Sequence, residues 1–167
     1  MKLAIVVNSF PEFSETFIIN KVLFLAKNDV DVSVIRLTPN GSSGLMELYN
    51  FKNTQNISIL DVKFPKSILD LLSLILTKPH LIVKSFSTSK KIFYKNLSKA
   101  LFLALVEKNN FDIVHFEFSG IATSFIDIIK DINTKTVVSC RGSAEKVKPL
   151  TQPERKEKLK QVFQVVD

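Results

Sequence analysis

Apolar positions along the chain alternate between short continuous runs and longer stretches with helical spacing. A continuous run such as KLAIVV is typical of a strand covered on both faces of a sheet. This run predicts a strand at 2–7, and the alternating, β-branched residues of VDVSVIRL predict a second strand at 30–37. Further strands are predicted at 57–64, 111–118 and 135–140. Apolar residues three or four positions apart predict helices at 15–28, 66–77, 88–109, 119–131 and 153–163. This alternation predicts an α/β fold with a Rossmann-like, doubly wound, mostly parallel sheet.

The residues between and after these elements refine the prediction. Ser14 is a candidate N-cap for the helix at 15–28, and Pro153 suits the first position of the last helix. Residues 38–56 hold two of the four glycines and many turn formers, which predicts a long loop. The final residues, Val165 to Asp167, have the pattern of a strand that is just beginning.

Length and composition favour one domain with its own core, since the chain has 167 residues and is 46% hydrophobic. The single cysteine, Cys140, excludes an internal disulfide framework, and we expect it to be a small buried side chain in a reducing compartment. No apolar run reaches the roughly 20 residues of a spanning helix. The sequence therefore predicts a cytoplasmic protein. Its two histidines and one cysteine are too dispersed to predict a metal site.

The net charge of +7 raises the prospect of an anionic partner. No aromatic and basic signature of RNA binding stands out, so nucleic acid is not the expected partner. The helix at 88–109 and the segment before it carry lysines that we expect to face outward: Lys84, Lys90, Lys91, Lys95, Lys99 and Lys108. Glu107 is the only acidic residue between Lys84 and Lys108. Two interpretations stay open, a solvated face and peripheral attachment to anionic lipid at the inner face of the membrane.

Polar residues follow three of the predicted strands. They are residues 8–16, named here the opening loop, the segment His115-Phe116-Glu117, and the segment from Ser139 to Ser143. Ligands of doubly wound sheets bind at the carboxyl ends of strands, so we expect these segments to share one cleft. Capping and aromatic packing could explain the opening loop alone, but its proline and two phenylalanines also predict a stiff loop suited to binding.

The opening loop contains FPEFSETFI, which resembles the FPxxSETFI signature of some members of glycosyltransferase family 4, enzymes of the GT-B fold. The segments DIVHFEF and VVSCRGSA resemble two later motifs of that family, in the same order. Ala144 stands where the last motif usually has aspartate. The resemblance spans the whole chain and implies that residues 1–167 form the first, acceptor-side domain, with the donor-binding domain absent from this chain.

The resemblance implies an enzyme of the hexosyltransferase type. The complete protein would move a sugar, with retention, from a nucleotide-sugar to a polysaccharide or glycolipid acceptor, whereas this chain alone would be inactive. His115 is the candidate catalytic residue. The candidate substrate-binding residues are Ser9, Phe10, Pro11, Ser14, Glu15, Thr16, Glu117, Arg141, Gly142 and Ser143. The implied partners are a sugar or lipid-linked acceptor and the second domain; no cofactor or metal is expected in this domain.

Each main candidate also has a structural role open to it. His115 could be a hydrogen-bonded histidine at a strand end, and Glu117 a solvated carboxylate. Arg141 could pair with Glu117 or Glu145 instead of a ligand. The chain has no GxGxxG, Walker or G-x-S-x-G motif, which argues against a phosphate-binding loop or a serine hydrolase. The alternative function is a non-catalytic basic module that binds anionic membrane or polymer.

Overall fold

The computed structural model describes residues 1–51, 53–62, 76, 90–141 and 147–167, without the side chains of 90–96 and 148. Its centre is a parallel sheet of five strands in the order β3-β2-β1-β4-β5. The strands are β1 (Lys2–Val7), β2 (Asp31–Arg36), β3 (Ile57–Asp61), β4 (Ile113–Phe116) and β5 (Lys135–Val138). Helices flank the sheet, and the predicted Rossmann-like doubly wound α/β fold is confirmed.

The helices in the described part of the chain are α1 (Thr16–Lys27), α2 (Ser43–Leu48), α3 (Lys90–Asn109), α4 (Ser119–Ile129), α5 (Lys148–Thr151) and α6 (Pro153–Phe163). Of these described helices, the sequence predicts four, α1, α3, α4 and α6, but not α2 and α5. A short 3-10 helix, Phe13–Glu15, leads into α1. Pro153 occupies the start of α6 as predicted, with Gln152 before it as N-cap. The helix predicted at 66–77 lies almost wholly outside the described residues.

The sheet separates two hydrophobic clusters because successive residues of a strand point to opposite faces. In β1, Leu3, Ile5 and Val7 pack in the cluster with α1 and α2. Ala4 and Val6 pack in the other cluster, with α3, α4 and α6. His115 of β4 pairs with Ile5 across the sheet and therefore lies on the face covered by α1.

Local chemistry ends α1 where the sequence predicts. The backbone N–H of Asn28 still bonds to the carbonyl oxygens of Phe24 and Leu25, and its side-chain amide bonds to Phe24 O at 2.8 Å. The next residue, Asp29, has a φ of 59°, a left-handed conformation that breaks the helical path. The chain can then turn back into β2.

Four predictions of local structure are wrong. Ser14 does not cap α1, because it lies exposed inside the 3-10 helix and Glu15 takes the N-cap position without a side-chain bond. The predicted loop at 38–56 contains α2, whose first turn is capped by the Ser42 hydroxyl bonded to Leu45 N. Residues 165–167 form no strand, although Asp167 N donates to Thr136 O of β5 at 2.9 Å. Cys140 is exposed because it lies beyond the end of β5.

The predicted outward face of lysines is wrong at Lys99. This side chain is only 8% exposed and donates to Asp127 Oδ2 on α4 at 2.7 Å. It therefore joins α3 to α4 instead of facing solvent. Lys84 and the side chains of Lys90, Lys91 and Lys95 lie outside the described part of the structure. No helix within the described ranges has the length and apolar character needed to cross a membrane.

Candidate functional site

The described residues of the three polar segments lie at the carboxyl edge of the sheet, where the sequence predicts them. β1 and β4 are neighbours at the centre of the strand order, and the chain runs outward in opposite directions from them. This is the switch point at which doubly wound sheets bind ligands. The backbone also locks the segments together, since Glu117 N donates to Val6 O at 3.2 Å and Ser139 N to Phe116 O at 2.9 Å.

A group of polar side chains, here called the edge cluster, converges at this point: Lys21, His115, Glu117, Ser139 and Arg141. Its centre is Glu117, whose side chain is completely buried. A buried carboxylate is costly unless cations and donors compensate its charge. Lys21 of α1 donates to Glu117 Oε1, and Arg141 Nε lies 3.8 Å from Oε2. Among the described residues, Oε2 has no hydrogen-bond partner.

His115 lies between two other members of the edge cluster. Its Nδ1 is 2.8 Å from Lys21 Nζ, and its Nε2 is 2.8 Å from Ser139 Oγ. Burial lowers the pKa of His115, and the charges of Lys21 and Arg141 lower it further, while Glu117 opposes them. The imidazole is therefore held in its neutral form at neutral pH. Both of its nitrogens are engaged by protein side chains.

Arg141 is the most exposed cation of the edge cluster, with 44% of its side chain accessible. Its guanidinium carbon lies 4.6 Å from the centre of the Phe17 ring, a cation–π arrangement. Phe17 in turn meets Phe118 edge to face at 6.3 Å. Arg141 thus lies within ion-pair distance of Glu117, the structural role anticipated for it, while much of its surface stays open to a ligand.

The opening loop is fixed in shape by its own packing. Phe10 is 1% exposed and packs on Phe51 with ring centres 5.1 Å apart. Pro11 is buried and follows a cis peptide bond. The segment after β2 holds this part of the loop through Phe10 N to Asn40 O at 3.0 Å and Ser42 N to Pro11 O at 2.8 Å. Phe10 and Pro11 therefore shape the loop and present almost no surface to a ligand.

Arg36 and Gly41 complete this support. Arg36 Nη1 donates to Phe10 O at 3.1 Å, and its Nε pairs with Asp61 at 2.6 Å. Gly41 passes so close that a Cβ atom there would lie 2.1 Å from Phe10 O. Only glycine permits this approach without displacing backbone.

The other predicted residues of the opening loop differ in exposure. Ser9 is half-buried, whereas Ser14 and Thr16 are exposed. Glu15 is half-buried, and burial raises its pKa, as do the nearby charges of Glu12 and Glu117. Glu15 is therefore the predicted residue of this loop whose charge reaches the edge cluster. Gly142 and Ser143, together with Ala144, lie outside the described residues.

The sequence alone indicates no role for two members of the edge cluster, Lys21 and Ser139. Lys21 interrupts the apolar spacing of α1 and carries no motif, so only its position across from β4 gives it a role. The sequence predicts that Ser139 lies at the sheet edge with its segment, but its contact with His115 depends on the parallel pairing of β4 and β5. Neither contact could be read from local sequence.

Two clefts lie near this edge. The smaller, of about 240 Å³, lies on the α4 side and is lined by Asn8, Leu37, Phe118, Gly120, Ile121, Ser124 and Phe125. A larger cleft of about 630 Å³ lies between α4 and α6. Its charged groups are engaged with each other or with hydroxyls, since Lys158 pairs with Glu154 and Arg155 donates to Thr123 Oγ1 and Ser119 Oγ. The smaller cleft adjoins the edge of the sheet through Asn8 and Phe118, and neither cleft is lined by a side chain of the edge cluster.

Comparison with known proteins adds no relative: no protein-family model matches the chain, and no curated protein matches it.

Within the described ranges, no group of three or more metal-ligating side chains is placed to hold a metal ion. The chemistry of the edge cluster is that of fixed hydrogen-bond donors and one buried carboxylate. Such an arrangement suits recognition of hydroxyl groups.

Proposed function

We propose that this chain is the acceptor-binding half of a retaining GT-B glycosyltransferase that acts on a polysaccharide or glycolipid acceptor. The observation that carries the proposal is the edge cluster. All three segments that resemble glycosyltransferase family 4 contribute to it or adjoin it: Glu15 and Phe17 from the first, His115 and Glu117 from the second, Ser139 and Arg141 from the third.

The chemistry of the edge cluster supports an acceptor site. A sugar hydroxyl both donates and accepts hydrogen bonds, and the cluster offers the guanidinium of Arg141 and the hydroxyl of Ser139 beside the carboxylate of Glu117. Aromatic surface lies next to Arg141, since its guanidinium carbon is 4.6 Å from the ring centre of Phe17 and this side chain is 36% exposed. Apolar ring faces and fixed polar groups together suit a sugar ring.

Sugar transfer also needs a bound nucleotide-sugar and compensation of the departing diphosphate charge. In the proposal a second domain supplies both. The 167-residue chain alone should therefore transfer no sugar, and titration with nucleotide-sugars should show weak binding at most. Turnover by this chain would contradict the proposed division between acceptor and donor halves.

The test of the function uses the protein expressed from its complete reading frame. A panel of nucleotide-sugars is offered with lipid-linked and free glycoside acceptors, and transfer is followed by mass spectrometry. With an active pair in hand, Arg141→Lys should raise KM for the acceptor by about tenfold and leave KM for the donor unchanged, because lysine keeps the charge but loses the forked donors.

Glu47→Gln, an exposed change on α2, is the matched control and should alter neither constant. An effect of Arg141→Lys on the donor alone would show that the edge cluster belongs to the donor site. Absence of transfer from every donor would refute the proposed function.

A further inference from the structure

A directional chain of side chains crosses the edge cluster. Lys21 of α1 reaches Nδ1 of His115 on β4, and Nε2 of the same ring reaches Ser139 after β5, both at 2.8 Å. An ammonium group has three donors and no acceptor. Nδ1 must therefore accept the bond from Lys21, so it carries no proton.

The position of the remaining ring proton follows. A neutral imidazole has one N–H, which must then lie on Nε2. Nε2 consequently donates to Ser139 Oγ, and this bond occupies an acceptor position of the hydroxyl. The hydroxyl proton of Ser139 is left to donate elsewhere. In this arrangement His115 cannot withdraw the proton of Ser139, in contrast to the histidine of a serine hydrolase.

We propose that Lys21 is a positioning residue that fixes the ring proton of His115 on Nε2, and that Ser139 donates a hydrogen bond to an oxygen of the bound ligand. The Ser139 half rests on the proposed acceptor-binding function, and the ligand class is a polyhydroxylated glycoside. The Lys21 half rests on the geometry of the protein alone. In this arrangement His115 connects Lys21 of α1 to Ser139, the residue that contacts the ligand.

The charged groups around the ring define what loss of Lys21 should do. Three charged groups surround the ring of His115: Lys21 from α1, Glu117 from the end of β4 and Arg141 from the end of β5. Glu15 lies near Glu117. Without Lys21, Nδ1 loses its donor, while the Oε1 carboxylate oxygen of Glu117 lies 3.8 Å from it. A proton on Nδ1 is then favoured, and so is the doubly protonated ring.

Nitrogen-15 NMR of histidine-labelled protein tests the Lys21 half. The wild-type chain should show His115 protonated at Nε2, with His80 as the second signal. Lys21→Met should move the proton toward Nδ1 and raise the pKa of His115, whereas Lys27→Met, an exposed change on the same helix, should alter neither. A wild-type ring protonated at Nδ1 would overturn the Lys21 half without needing any variant. Spectra unchanged in a folded Lys21→Met chain would also overturn it.

Titration with a panel of methyl glycosides tests the Ser139 half. Loss of one hydrogen bond in Ser139→Ala should weaken binding by about 2- to 12-fold. The ring proton should stay on Nε2 in this variant, because the bond from Lys21 is intact. Equal affinity of Ser139→Ala and wild type would overturn the role of Ser139. If the wild-type chain binds no glycoside, the Ser139 half falls with the proposed function, while the histidine spectra still decide the Lys21 half.

Discussion

Replacement of Gly41 by alanine should destabilise the protein and disturb the opening loop. The added Cβ would lie 2.1 Å from Phe10 O, 2.5 Å from Phe10 C and 2.9 Å from Pro11 N, and all three are backbone atoms. Backbone cannot give way like the end of a flexible side chain, so the loop must shift. Overpacking costs about 1 to 3 kcal/mol, and each loop hydrogen bond lost adds about 1 kcal/mol. We expect the free energy of unfolding to fall by about 2 to 4 kcal/mol.

Urea denaturation followed by circular dichroism measures this change, with Gly44→Ala as the matched control. A Cβ at Gly44 would meet only Ser42 Oγ at 3.9 Å, an ordinary contact. Gly44 also lies in α2, where alanine stabilises by up to about 1 kcal/mol. Gly41→Ala should therefore lower the urea midpoint, whereas Gly44→Ala should raise it or leave it unchanged. Equal midpoints for Gly41→Ala and wild type would refute the close approach of the two segments.

Three further predictions concern charged side chains. Since the fold holds the pKa of His115 below its ordinary value of 6.5, the unfolded chain binds the proton more readily. The free energy of unfolding, measured by urea denaturation, should thus decrease as the pH drops from 6.5 through the lowered pKa. A His115→Gln variant with the same pH profile as wild type would contradict this. Asp127→Asn should cost about 1 to 3 kcal/mol because it leaves the buried Lys99 charge unpaired, whereas Lys99→Met should be close to neutral; the opposite order in thermal unfolding would disprove the burial argument. If α3 binds anionic lipid, the protein should co-sediment more with anionic than with neutral vesicles, and substitution of Lys90, Lys91 and Lys95 by glutamine should weaken binding by about 1 kcal/mol per lysine. Equal binding to the two vesicle types, or binding to anionic vesicles that these substitutions leave unchanged, would rule that attachment out.

The sequence was sufficient for the sheet because short apolar or β-branched segments alternate with segments of helical spacing, which is the pattern of a parallel α/β sheet. It was insufficient where a contact joins distant segments. Cys140 illustrates the limit, since a free cysteine is usually a small buried side chain, yet the strand ends at Val138 and leaves this one exposed. Lys99 shows the reverse, because a lysine among other lysines predicted a solvated face and only the packing of α3 on α4 gives it a buried partner.

The candidate site divides in the same way. The edge at which His115, Glu117 and Arg141 meet was predictable, because parallel strands bring their carboxyl ends to one side. The participation of Lys21 was not predictable, since nothing in its neighbours on α1 distinguishes it from a surface lysine. Which residues compensate a buried carboxylate depends on the tertiary packing of helix against sheet, and local sequence does not encode that packing.

The backbone pairing of the opening loop with residues 40–42 has a consequence for binding kinetics. Ordering a loop around a ligand normally costs conformational entropy and slows association. Here the segment from Phe10 to Pro11 is ordered by hydrogen bonds and by Gly41 before any ligand arrives. A ligand that binds against this loop should therefore associate in a single phase, without a slow rearrangement. Its selectivity would then come from exclusion of poorly fitting molecules, because the loop cannot adapt its outline to them.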